Sequence, residues 1–291
     1  VKKVREINTN DIIKNVKEMC IEANHFFSTD MKKVFDNAKA SEKSPLGRQI
    51  LEQLDENLKI AREDMIPICQ DTGMAVVFIE IGQDVHIVGE NVEDAINEGV
   101  RQGYVEGFLR KSVVKDPLIR ENTKDNTPAV IHYNIVPGEN VKITIAPKGF
   151  GSENMSRVFM LKPADGIEGV KDAVLTAVKD AGPNACPPMV VGVGIGGTFE
   201  KCAILAKKAL ARPADSESDI PYVKDMEKDL KKARPERVFI THSGCEQETV
   251  EKVRAYLKEL DIFDEILETR AGGVVSSHCG PGTLGVLYIA K

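Results

Sequence analysis

The chain has no run of about 18 apolar residues, so its sequence offers no hydrophobic membrane-spanning helix. Its opening, Val1-Lys2-Lys3-Val4-Arg5-Glu6-Ile7, lacks the apolar core of a signal peptide, and the expectation is a cytoplasmic protein. There is no basic stripe either. The 39 lysines and arginines are scattered, and the formal charge of -6 is small for 291 residues. Without clustered positive charge to neutralise phosphates, nucleic acid is not an expected partner, and neither is a membrane. The six cysteines, Cys20, Cys69, Cys186, Cys202, Cys245 and Cys279, are widely spaced in a chain long enough to bury a real core. That spacing argues against a small secreted disulfide scaffold and leaves reduced thiols available as metal ligands. With 42% hydrophobic and 29% charged residues the composition is that of a soluble globular chain, and the length suggests about two domains. No internal repeat is visible.

Up to about residue 66 apolar residues recur at helical spacing, first Ile12, Ile13, Val16 and Met19, then Ile50, Leu51, Leu54, Leu58 and Ala61. Ser44-Pro45 supplies an N-cap and a proline at the first helical position of the second segment. Residues 74–81, rich in Val, Ile and Phe, read as a buried strand, and residues 92 to about 110 as a helix with Arg110 near its end. Residues 129–135 and 141–145 flank the turn composition Pro137-Gly138-Glu139-Asn140 and read as a β-hairpin. Helix is expected over 169–181, strand over 189–193 and helix over 199–210, with Cys202 in its core. A polar loop over 212–219 and a short charged helix carrying Tyr222, Met226 and Leu230 lead to Arg234-Pro235. Beyond it come a strand at 237–241, a helix at 246–260, extended segments at 265–269 and 273–276, and a strand at 284–289.

The strongest local signal is Pro67-Ile68-Cys69-Gln70-Asp71-Thr72-Gly73, which places a thiol, an amide and a carboxylate on consecutive residues at a strand entrance. In Asn184-Ala185-Cys186-Pro187-Pro188 two prolines stiffen the backbone after a second thiol. A cysteine taken singly is more often a small buried hydrophobe than a ligand, but these two sit in polar or rigid loops. Two glycine-rich loops, Lys148-Gly149-Phe150-Gly151-Ser152-Glu153-Asn154 and Gly192-Val193-Gly194-Ile195-Gly196-Gly197-Thr198, would let backbone amides approach a carboxylate or phosphate. Gly192, Gly194 and Gly197 satisfy the dinucleotide fingerprint literally. Its context fails, because the following helix runs into a polar loop and not into a second strand ending in an acidic residue.

These motifs, together with Arg110-Lys111-Ser112, Asp116-Pro117-Leu118 and Asn122-Thr123-Lys124-Asp125-Asn126-Thr127-Pro128, stand in the order found in the alpha region of class I fumarases and tartrate dehydratases. The chain resembles that region over about residues 8–232. The resemblance implies a [4Fe-4S] cluster held by three cysteines, with one iron left open as a Lewis acid. Cys69 and Cys186 match two of the three ligands. Gln70, Asp71, Arg110 and Gly151 match substrate-binding positions, with Asp71 and Arg110 as the catalytic candidates and Arg110 suited to a forked contact with a dicarboxylate. The remaining active-site groups of the family come from a beta region, so a separate beta subunit is expected, and the resemblance is also compatible with a homodimer.

The segment that carries the family's third cysteine should follow residue 232 and is absent. Cys202, Cys245 and Cys279 remain, none with the family's surrounding residues. Instead, residues 235–291 resemble the end of the DegV family of fatty-acid-binding proteins, through Arg237-Val238-Phe239-Ile240-Thr241-His242 and Ser276-Ser277-His278-Cys279-Gly280-Pro281-Gly282-Thr283. That resemblance implies that His278 contacts an acyl carboxylate. The expected architecture is α+β: a mixed helical and β hydro-lyase alpha domain over 1–232, a junction at 233–236, and a strand-helix-strand-strand unit over 237–291. Two functions follow. One is the alpha subunit of an iron-sulfur hydro-lyase acting on a four-carbon dicarboxylate such as fumarate, malate or tartrate; the other is a cluster-free fusion protein that binds a carboxylate or fatty acid.

Overall fold

The computed structural model describes residues 4–43, 45–185, 189–230, 237–242, 245–259, 265–270 and 284–288. In chain order the elements are β1 (Arg5–Asn8), α1 (Thr9–His25), α2 (Thr29–Ser41), α3 (Pro45–Asp64), β2 (Met74–Gly82), β3 (Val85–Val88), α4 (Val92–Glu106), β4 (Val130–Val136), β5 (Val141–Lys148) and α5 (Phe150–Glu153). They continue with α6 (Gly166–Ala181), α7 (Phe199–Ala209), α8 (Pro221–Leu230), β6 (Arg237–His242), α9 (Gln247–Glu259), β7 (Glu265–Arg270) and β8 (Leu284–Tyr288). The α+β class read from the sequence is what the structure shows. No described helix is long and apolar enough to cross a membrane. The backbone divides into two compact units, Val1–Phe150 with Leu210–Asp215, and Gly151–Ala209 with Ser216–Lys291. The expected junction at 233–236 lies outside the described residues.

In the first unit, α1 starts where the Asn8 side chain accepts the Asn10 N–H at 2.9 Å, which satisfies one of the helix's free donors. Ile12, Val16 and Cys20, four residues apart, form its buried stripe. That stripe meets α4, whose buried face is Ala95, Ile96, Gly99, Val100, Gly103 and Tyr104. The helices approach closely because α4 offers glycine at the contact: a Cβ on Gly103 would stand 2.7 Å from the Cys20 Cβ. Both helices pack on Ala75, Val77 and Ile79 of β2. Each such valine or isoleucine contributes about 1.5–3 kcal/mol when fully buried. Val76 and Phe78 on the opposite face are buried as well, so β2 is covered on both sides over its apolar run 74–79.

The hairpin expectation is corrected. Sheet order is β4-β2-β5, with β2 inserted between the two strands, parallel to β4 and antiparallel to β5. The Pro137–Asn140 turn composition is real, but the connection straddles the end of β2 and joins strands two spacings apart. Gly82 donates to Asn140 O at 2.8 Å and Asp84 to Gly138 O at 2.9 Å beneath it. A Cβ on Gly82 would stand 2.4 Å from the Gly138 carbonyl oxygen, so glycine is needed where the turn crosses.

The helix expected to reach residue 110 stops at Glu106. Gly107 caps it, Phe108 takes a positive φ of 53°, and the Leu109 N–H reaches back to Tyr104 O at 3.1 Å, a left-handed helix stop. Arg110 therefore leaves on a loop.

The second unit holds α6, α7 and α8 and the C-terminal strands. Residues 189–193 have the apolar composition of a strand but pair with no strand among the described residues, and Val190 and Val191 are exposed. Apolar composition alone does not make a strand, which also needs a hydrogen-bonding neighbour. Cys202 is half-buried on α7 and outside any core, its thiol donating to Phe199 O at 3.2 Å. β6 pairs in parallel with β7 and antiparallel with β8, and α9 buries Val250 and Leu257. This β-α-β-β plan, with the first strand central, is the plan that β2, α4, β4 and β5 follow in the first unit. The expected extended segment at 273–276 lies outside the described residues.

Candidate functional site

The cysteine loop is fixed from its entrance. The Ile68 N–H donates to Asn24 O at the end of α1 at 2.8 Å, and the Asn57 amide of α3 donates to Ile68 O at 2.9 Å. Cys69 and Gln70 are exposed directly beyond this anchor. The Cys69 thiol donates to Gln70 Oε1 at 3.4 Å, and the Asp71 N–H points at Cys69 Sγ at 3.4 Å.

Asp71 faces the other way. One carboxylate oxygen accepts the Gly73 N–H at 3.2 Å, and the other accepts the Phe150 N–H at 3.1 Å. The carboxylate thus ties the cysteine loop to the first glycine-rich motif, where Gly149 leaves room for it: a Cβ there would stand 3.0 Å from Asp71 Oδ2. Gly73 has φ +64°, and a Cβ on it would stand 2.1 Å from the Lys148 carbonyl oxygen.

Thr72 is buried beneath the loop. Its hydroxyl accepts the Arg110 N–H at 2.9 Å and donates to Arg110 O at 3.3 Å, so the loop after α4 lies against the cysteine loop. Tyr104 donates its hydroxyl to Thr72 O at 2.8 Å, and burial pushes this phenol's pKa up, so it stays a neutral donor. Asn126, fully buried, accepts the Ser112 and Val113 N–H groups at 2.7 and 3.1 Å and donates to Gly73 O at 2.9 Å. Its own turn is held to α4 by Arg101, whose Nε donates to Asp125 at 2.9 Å, and by Asn97, which accepts the Ala129 N–H at 2.8 Å. Burial pushes the Asp125 carboxyl's pKa up, but the hydrogen bonds from Arg101 and Thr127 outweigh it and hold the carboxyl below its ordinary value. The Ser112 hydroxyl is buried and has no hydrogen-bond partner among the described residues.

Of the residues singled out in the sequence, Cys69, Gln70 and Asp71 share one loop, and Arg110, itself exposed, is joined to that loop through its backbone. Gly151 belongs to the second unit, where a Cβ on it would meet Asn184 O at 3.4 Å. Cys186, His278 and Cys279 lie outside the described residues. Cys20 is unsuited to metal: it is fully buried, and burial pushes its thiol up to about 12. Among the described residues no group of three or more His, Cys, Asp and Glu side chains is placed to hold a metal ion. An exposed thiol with an N–H directed at it fits one cluster ligand, and Cys69 is that thiol.

The second glycine-rich loop has a packing role. A Cβ on Gly194 would stand 2.0 Å from Cys202 O, so glycine lets the loop lie on the α7 backbone. Lys207 of α7 pairs with Glu153 of the first glycine-rich motif. At the start of α7, the Glu200 carboxyl is held low by its own N–H and the Thr198 hydroxyl, so the helix supplies its own anion.

Residues 13–236 match the fumarate hydratase (fumerase) family. The chain belongs to the fumarate hydratase family, a family of hydro-lyases. Residues 206–291 also match the DegV family of uncharacterised proteins, so two family likenesses overlap in the stretch before the tail. A Methanocaldococcus jannaschii protein assigned as an L(+)-tartrate dehydratase alpha subunit is 40% identical over 222 residues, 74% of this chain and 77% of that protein. The L(+)-tartrate dehydratase alpha subunit of Escherichia coli is 32% identical over 193 residues, 65% of this chain and 63% of its own length. A Shigella boydii protein of the same name is 31% identical over the same length. The fumarate hydratase match contains the whole Cys69 loop, Arg110 and Asn126. Sequence reasoning missed Thr72 and Tyr104 and gave Asn126 no role. The available signal was polar residues capable of two-sided hydrogen bonding inside otherwise irregular segments.

Proposed function

We propose that the chain is the alpha subunit of an iron-sulfur hydro-lyase that adds water to, or removes it from, a four-carbon dicarboxylate such as fumarate, malate or tartrate, in company with a beta subunit. The observation that carries this reading is the exposed Cys69 thiol, with the Asp71 N–H on its sulfur and Arg110 joined to the same loop. The alpha-subunit names of the relatives support the beta partner and the substrate class. On this reading Cys69 and Cys186 hold a [4Fe-4S] cluster, which when bound supplies a Lewis acid for the substrate's oxygens. Arg110 binds a substrate carboxylate through its guanidinium, Gln70 orients the substrate, and Asp71 holds the cysteine loop to the Phe150 N–H. The chain then divides into a hydro-lyase alpha-type domain over 1–232 and a DegV-like unit over 237–291.

The alternative, a cluster-free carboxylate-binding protein, is favoured by the missing third-cysteine segment. Iron content separates the two. Anaerobic reconstitution followed by iron and sulfide quantification should give a near-stoichiometric cluster in the wild type, lost in Cys69→Ala and Cys186→Ala and retained in Cys20→Ala. Loss in Cys279→Ala as well would identify the third ligand. A wild type that takes up no iron, or a Cys69→Ala variant that keeps all of it, would sink the cluster reading.

A further inference from the structure

We infer that Thr72 and Asn126 are positioning residues that hold Arg110 in register with the Cys69 loop; this deepens the hydro-lyase reading and rests on it. Residues 72–73 and 110–113 form no strand pair, yet they are joined by hydrogen bonds from two buried side chains at two successive points. At the first, a single hydroxyl serves both backbone groups of Arg110, accepting its N–H at 2.9 Å and donating to its carbonyl at 3.3 Å. At the second, the Asn126 carboxamide accepts from Ser112 and Val113 and donates to Gly73 O. The chemistry fixes which end of the amide faces which neighbour, since two N–H groups need an oxygen and a carbonyl needs a donor. Asn126 has φ +63°, a conformation asparagine tolerates better than most side chains, so backbone and side chain both select this residue.

Attachment at two points fixes orientation as well as separation. The clamp is itself held: Tyr104 of α4 donates to Thr72 O, and Thr72 leads directly into β2, which is covered on both faces. Arg110, an exposed residue, therefore leaves from a backbone that cannot slide past Cys69 without stranding buried polar groups. A forked carboxylate contact depends on that alignment, and a displacement of about 1 Å can cost about a hundredfold in rate.

The test uses the cluster-loaded alpha–beta enzyme and the metal-free chain in parallel. In Thr72→Val the KM for the dicarboxylate should rise about ten- to a hundredfold with a smaller change in kcat and unchanged iron content. Thr72→Ser, which keeps the hydroxyl, should restore the KM. Asn126→Asp keeps the acceptor and loses the donor to Gly73, and should raise the KM in the same direction. In the metal-free chain, backbone hydrogen exchange over 110–113 should quicken by about tenfold or more in Thr72→Val and Asn126→Asp. Faster exchange with wild-type KM in both variants would make the clamp structural only and overturn the inference. Unchanged exchange in both would show that no clamp exists. A wild-type enzyme without turnover would sink the hydro-lyase reading, and with it the role assigned to the clamp, while exchange would still decide whether the clamp itself is present.

Discussion

Gly73→Ala is expected to destabilise the folded chain by roughly 2–5 kcal/mol, about 1–2 from forcing alanine into a left-handed conformation and about 1–3 from overpacking. Both contributions are visible at this residue. Its φ is +64°, and the new methyl group would stand 2.1 Å from the Lys148 carbonyl oxygen and 2.3 Å from its carbon. These are backbone atoms of β5, paired with β2 from Met74↔Lys148 onward, so relief would require separating the strands that carry the cysteine loop. Gly138→Ala is the control: its φ is +104°, but a Cβ there has nothing within 4 Å. Urea unfolding monitored by circular dichroism should show a large fall in midpoint for Gly73→Ala and a smaller one for Gly138→Ala. Equal midpoints for Gly73→Ala and wild type would mean that the loop does not pack on Lys148 as described.

Arg110→Ala should lower kcat/KM for the dicarboxylate about a hundredfold or more, the worth of a charge-assisted hydrogen-bond pair of about 3 kcal/mol. Arg110→Lys should recover only part of this, because a point charge replaces a planar fork. Since Thr72 holds this residue through its backbone, thermal melts should move far less than activity in both variants. Steady-state kinetics beside melting curves check the split. An Arg110→Ala enzyme with wild-type kcat/KM would remove Arg110 from the substrate site.

The sequence made β2 legible because a strand covered on both faces needs an apolar run, and residues 74–79 supply one before Glu80. The α1 and α4 stripes were legible for the equivalent reason at helical spacing. Strand order was not. Pro137-Gly138-Glu139-Asn140 encodes a reversal of direction, but whether another strand enters beneath the turn depends on β2, more than fifty residues upstream. Residues 189–193 failed as a strand because side-chain composition carries no information about a hydrogen-bonding neighbour. At the site, Cys69-Gln70-Asp71 could be read directly, since three consecutive residues share a loop in any fold. That Thr72 would hold Arg110, and that Asn126 would join Gly73 to Ser112, are pairings across 38 and 53 residues that no local pattern encodes. Glycine was legible as a requirement but not as a reason. Gly194 is needed for its approach to Cys202 of α7, a packing contact that a glycine-rich string cannot distinguish from an anion cradle.

On the proposed reading the chain furnishes part of a hydro-lyase site, and a beta subunit supplies the rest. The most direct measurement is anaerobic turnover of fumarate, malate and L(+)-tartrate by the reconstituted chain, alone and co-purified with a beta-type subunit of the family. Hydration or dehydration of at least one of these dicarboxylates by the pair is expected, with loss in Cys69→Ala and none by the chain alone. A pair that carries a full cluster and turns over none of the three would contradict it.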